Sequence, residues 1–102
     1  MSDLKYKHYN ESTSHFKFEH LFKEILDKEM TFREMRLKGF ELAKQKKSGI
    51  GVRCYNEYLR KWEFLGTYYP SGIMIDSFGG KNILSEDGNN FITIKDEPTK
   101  ME

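Results

Sequence analysis

The chain has 102 residues, 37% hydrophobic, 32% charged and 15% aromatic, enough for one modest core and too few for two domains. Seventeen Lys and Arg stand against sixteen Asp and Glu, a net of +1, so the composition is not that of an overt polyanion binder and offers little self-repulsion against self-association. The mean hydropathy is −0.76 and the longest aliphatic run is Ile73-Met74-Ile75, which excludes a helical membrane span of ~20 apolar residues.

The opening Met1-Ser2-Asp3-Leu4-Lys5 lacks the apolar stretch of a secretory signal and the glycine of a myristoyl site. A lone cysteine, Cys54, cannot staple a fold. The expected compartment is therefore the reducing cytoplasm, the host cell's if the chain is phage-encoded. Charge is mildly asymmetric. Residues 1–48 carry 11 basic and 8 acidic side chains, and residues 49–102 carry 6 and 8.

Residues 1–12 are polar and aperiodic and read as a flexible arm, with Tyr6 and Tyr9 able to dock on the body. From Ser14 onward, Phe18, Leu21, Phe22, Ile25 and Leu26 recur at three- and four-residue steps, which predicts an amphipathic helix. Glu19–Lys23 and Glu24–Lys28 would support it at i,i+4. Thr31-Phe32-Arg33-Glu34 is a capping box. It opens a second predicted helix from about Phe32 to Lys47, with Phe32, Met35, Leu42 and Ala43 facing inward. Gly39 weakens that helix by ~1 kcal/mol relative to Ala and marks a close approach. Lys44, Lys46 and Lys47 suit its C-terminal dipole, and Ser48-Gly49 stops it.

The period then changes to two. Ile50, Val52 and Cys54 alternate with Gly51, Arg53 and Tyr55. Trp62 and Phe64 alternate with Lys61 and Glu63, Ile73 and Ile75 with Met74 and Asp76, and Ile92 and Ile94 with Phe91, Thr93 and Lys95. Turn signals at Pro70-Ser71-Gly72, Gly79-Gly80-Lys81-Asn82 and Asp87-Gly88-Asn89-Asn90 separate them. These features predict an antiparallel meander. The expected fold is a single α+β domain over residues 13–95, two N-terminal helices packed on a four- to five-stranded antiparallel sheet. Ile50, Val52 and Cys54 are expected to face the core, and Trp62 and Phe64 are expected to be core filler. Residues 96–102 form a polar tail.

Six of the fifteen aromatic residues fall between positions 53 and 69: Tyr55, Tyr58, Trp62, Phe64, Tyr68 and Tyr69, interleaved with Arg53, Arg60 and Lys61. Rings beside cationic groups can stack a base and neutralise its phosphate, but rings are also good strand formers and core filler. The candidate binding residues are Arg53, Tyr55, Tyr58, Arg60, Lys61, Tyr68, Tyr69 and, in a glycine-rich turn able to form an anion nest, Lys81. Lys47-Ser48-Gly49-Ile50-Gly51 resembles part of a phosphate loop but has a helix before it and a strand after it, the reverse of that motif. His8, His15 and His20 lack metal-ligand spacing, although His20 and Glu24 are four apart. Cys54 falls on the inward side of its strand, and Asp76, Glu86 and Asp87 sit near turns without a partner base. No nucleophile, base and orienting group converge, so no catalytic, metal or cofactor site is expected.

The order Met30-Thr31-Phe32, Ala43, Lys46-Lys47, Val52-Arg53 and then Asn82-Ile83-Leu84-Ser85-Glu86-Asp87 is similar to that of a family of small phage proteins, the second family of Thoeris anti-defence proteins. The resemblance covers about Met30 to Ile94. Trp62 comes later than the family's first tryptophan, and Gly88 follows Asp87 where the family has a second. The resemblance implies an α+β homo-oligomer that sequesters a cyclic-nucleotide signal. The functional expectation is a small non-catalytic binding protein, a phage or mobile-element inhibitor that occupies a host defence protein or sequesters a nucleotide signal. The alternative is a nucleic-acid-binding module using the same aromatic and basic face. Open sheet edges add the expectation of a twofold homo-oligomer.

Overall fold

A computed structural model of the chain describes residues 13–86 and 90–94. The proposed arm at 1–12, the tail at 96–102 and Asp87 lie outside them. Seven strands and one helix follow in the order β1 (Thr13–Glu19), β2 (Ile25–Thr31), α1 (Phe32–Lys46), β3 (Ile50–Asn56), β4 (Lys61–Tyr68), β5 (Ile73–Asp76), β6 (Lys81–Leu84) and β7 (Phe91–Thr93). All the strands form one sheet in the order β2-β1-β3-β4-β5-β6-β7, and every pairing is antiparallel. The α+β character stands. The expectation of two helices on a four- to five-stranded sheet is overturned, because these residues hold one helix on a seven-stranded sheet.

The error lies in Ser14–Glu29, which is a β-hairpin and not a helix. Its helical stripe is real in sequence, but Leu21 and Phe22, at the centre of that stripe, are 78% and 84% exposed in the turn. The residues that reach the core are Phe16 and Phe18, two apart, with Lys17 between them on the other face. Pairing with β3, Phe16 opposite Cys54 and Phe18 opposite Val52, decides the conformation. Local helical pattern yields to tertiary burial here. The expected i,i+4 pairs do not form. Glu19 reaches Arg53 on β3, and Glu24 reaches Lys46 on α1.

The helix α1 matches its sequence signals. Thr31 Oγ1 accepts from the Glu34 amide (3.1 Å), and Glu34 Oε1 accepts from the Thr31 amide (3.0 Å), which closes the capping box. Lys47 takes a left-handed conformation at the C-terminus, and its amide bonds Ala43. Met35, Gly39, Phe40, Leu42 and Ala43 are buried, and Phe32 packs half-buried against the core. They meet Phe16, Phe18, Ile50, Val52, Tyr68 and Met74 from the sheet. Gly39 permits this contact, since a Cβ there would stand 2.9 Å from the Tyr68 ring.

A β-bulge sets the register of β4. Gly66 lies opposite Val52, but Phe64 lies opposite Arg53, so Leu65 is the extra residue. Gly66 allows β5 to come close, because a Cβ there would lie 2.7 Å from the Ile75 carbonyl oxygen. From the bulge onward, Tyr68 and Met74 face the helix. The expected inward set on β4 is therefore reversed. Trp62 and Phe64 stand on the face away from the helix, opposite Tyr55 and Arg53. Met74 is buried in place of Ile73 and Ile75, and Phe91 packs on the core while Ile92 is exposed. Ile50, Val52 and Cys54 face inward as their alternation predicts.

Candidate functional site

Among the described residues one helix covers one side of the sheet. The other side carries the chain's most concentrated chemistry. Lys17, Arg53 and Phe64 form a row across β1, β3 and β4, and Tyr55 and Trp62 form the next row on β3 and β4. Trp62 is the centre. Its ring meets Tyr55 edge-on at 5.4 Å and His15 at 6.0 Å, and Lys17 Nζ sits 4.3 Å above it. The Arg53 guanidinium lies 5.7 Å from the Phe64 ring, and its Nε donates to Glu19 at 3.2 Å. His15 contacts the Asp27 carboxylate. Beyond the bulge the face becomes aliphatic. Ile73, Ile83 and Ile92 stand opposite one another across β5, β6 and β7, with Ile75 beside Lys81. Phe64, Tyr69, Ile83 and Ile92 all remain exposed.

The sequence candidates separate cleanly. Arg53 and Tyr55 lie on this face, as do Tyr69, against Gly49 at its edge, and Lys81 on β6. Tyr58 is 99% exposed but sits with Arg60 in the β3–β4 turn, away from the rings, and Lys61 is exposed at the start of β4. Tyr68 is removed from the surface. It is 1% exposed, its hydroxyl donates to Met35 Sδ (3.4 Å), and burial pushes its phenol up from the ordinary value. Sequence reasoning missed Trp62, Phe64, Lys17, His15 and the isoleucines as members of this face. The signal that would have found two of them is the hairpin Tyr55-Asn56-x4-Lys61-Trp62, which places Trp62 beside an outward Tyr55.

The remaining motifs resolve into structural roles. Asp76 accepts from the amides of Phe78 (2.9 Å) and Gly80 (2.8 Å) and from Asn82 Nδ2 (3.2 Å), and these bonds, the Gly80 amide foremost, hold its carboxyl below the usual range. The glycine-rich turn thus gives two of its amides to the chain's own carboxylate. Cys54 is half-buried, and desolvation raises its thiol pKa, the opposite of nucleophile activation. His20 Nε2 is buried without a hydrogen-bond partner, beside a cavity of about 10 Å³ that also touches Glu24 and Lys46, at the limit of what one water fills. Among the described residues no three His, Cys, Asp or Glu side chains come together in a metal-binding group, and no helix is long and apolar enough to cross a membrane. Comparison with protein-family models, with curated proteins and with solved structures finds no match.

Proposed function

We propose that this chain is a small non-catalytic binding protein that occupies a protein partner through the open face of its sheet. The observation that carries the reading is the sheet face that no other described residue covers, with Trp62, Tyr55, Arg53 and Phe64 at one end and Ile83 and Ile92 exposed at the other. Trp, Tyr and Arg are the residue types that dominate binding energy at protein interfaces, and an apolar patch bounded by charges has the anatomy of one. The partner is a protein with an apolar contact surface and charges of both signs at its rim. The family resemblance adds to this a role as an inhibitor of host defence, in phage or a mobile element. Nucleic acid is the second reading, favoured by Lys17 and Arg53 beside the rings. It is weaker because Arg53 already pairs with Glu19 and His15 with Asp27. The same face is shallow, which disfavours enclosure of a nucleotide by one chain.

The test is affinity purification of the wild type beside Trp62→Ala and Ile83→Asp, followed by native mass spectrometry. The reading expects a stoichiometric protein partner that both substitutions release while the chain stays folded, Trp62→Ala lowering the melting temperature by only about 4–8 °C. Tight binding of a fifteen-residue oligothymidine that falls steeply with salt would assign the face to nucleic acid. A dimer lost on Ile83→Asp would assign it to a second copy.

A further inference from the structure

A second surface lies along the β2 edge of the sheet. Among the described residues the strand β2 is an edge strand, paired with β1. The β1–β2 hairpin fixes which of its groups are spent. The His20 amide donates to the Glu24 carbonyl, so pairs at even steps from it, Phe18 with Leu26 and Phe16 with Lys28, are the hydrogen-bonded ones. The backbone N–H and C=O groups of Ile25, Asp27 and Glu29 therefore point outward. The next outward amide, that of Thr31, is already taken by Glu34.

Alongside this edge runs a groove of about 610 Å³ between β2 and α1. Its floor is Lys28 and Met30 on the helix-facing side of β2. Its far wall is the helical stripe Glu34, Leu37, Lys38 and Glu41, spaced i, i+3, i+4 and i+7. Leu37 is exposed although its helix is otherwise packed on the core. Glu34 is held by the capping box and Glu41 by Lys38 (3.3 Å). Among the described residues Glu29 makes no ion pair.

We propose that β2 and α1 form a docking groove for an extended peptide segment of a partner, which adds to the sheet as an eighth strand. Such a strand hydrogen-bonds the outward groups of Asp27 and Glu29 and presents alternate side chains to the two faces. One set lies beside Asp27, which already meets His15, and the Glu29 carboxylate, which has no ion pair among the described residues, and is basic. The other enters the groove beside Met30 and Leu37 and is apolar. The occupant is thus a segment of alternating Lys or Arg and aliphatic residues. Charge argues against a second copy of β2 in this place. Antiparallel self-pairing through the outward groups sets carboxylate against carboxylate, Asp27 on Glu29, Asp27 on Asp27 or Glu29 on Glu29, in each central register. Like charges directly opposite destabilise such a pair.

The experiment uses the full chain and the capped heptapeptide Lys-Val-Lys-Val-Lys-Val-Lys, with its Glu-for-Lys counterpart as control. Amide hydrogen exchange and chemical shifts are read by nuclear magnetic resonance. The proposal expects the lysine peptide to slow exchange of the Asp27 and Glu29 amides, the glutamate peptide to leave them unchanged, and Trp62→Ala to bind like wild type. Glu29→Lys weakens binding about tenfold, and Leu37→Asp does the same by a different route. Both positions are exposed, so melting curves stay in place. Shifts confined to Tyr55 and Trp62, equal response to both peptides, or unprotected β2 amides at saturating peptide would overturn the proposal. So would β2 protection in the free protein that vanishes on dilution, which would make the occupant a second copy.

Discussion

Gly39 lies where α1 crosses the ring of Tyr68, and its missing side chain is what lets the helix sit so close to the sheet. Gly39→Ala should gain helix propensity of ~1 kcal/mol and still lose stability, because the new Cβ would meet the buried ring at 2.9 Å. Overpacking of this kind costs ~1–3 kcal/mol. Urea unfolding of the pair reads the balance, and a stabilised Ala variant would show that the ring moves aside freely. Trp62 and Phe16 form a second contrast. Phe16 is fully buried, so Phe16→Ala should cost ~3–5 kcal/mol. Trp62 is half-buried, resting on Tyr55 and His15 beneath Lys17, so Trp62→Ala should cost about 1 kcal/mol, the worth of its ring contacts. These roles are the reverse of what alternation within β4 alone predicts. The bulge at Leu65, which no single residue type announces, makes the difference.

At the scale of elements, α1 was legible because its signals are local. A capping box, a lysine-rich last turn and a stop at Ser48-Gly49 all act within a few residues. Thr31→Ala should cost about 1 kcal/mol, since it removes the Oγ1 that accepts from the Glu34 amide, and the loss should appear in chemical unfolding with an unchanged denaturant slope. The β1–β2 hairpin was not legible. Its apolar residues satisfy a helical period and an extended one at once, and only the distant partner β3 chooses between them. The β5–β6 turn was read as a turn, but not the role of Asp76 as its keystone. Its carboxyl pKa is depressed in the folded chain by the Gly80 amide and its other donors, so its contribution is present above the ordinary carboxylate pKa of about 4 and is lost as pH falls through the lower folded value. The stability difference between wild type and Asp76→Asn should therefore narrow as pH drops below about 4. A gap that widens in acid would contradict this reading of the turn.

Across the described residues, the sheet has one covered face and one open one, because one fifteen-residue helix serves seven strands. Sequence reasoning placed Arg53 and Tyr55 outward through the alternation of β3. It could not see that β4, β5 and β7 turn Trp62, Ile73, Ile75 and Ile92 to that same side, because strand alternation says which residues share a face and not which face is covered. The central claim is that this open face is the working surface. Its most direct test is carbene footprinting of the chain inside the cells that make it, compared with the dilute purified protein. The account predicts that Trp62, Phe64, Ile83 and Ile92 are protected in the cell while Tyr58, in its exposed turn, labels equally in both. Equal labelling of all five residues in both settings would contradict it.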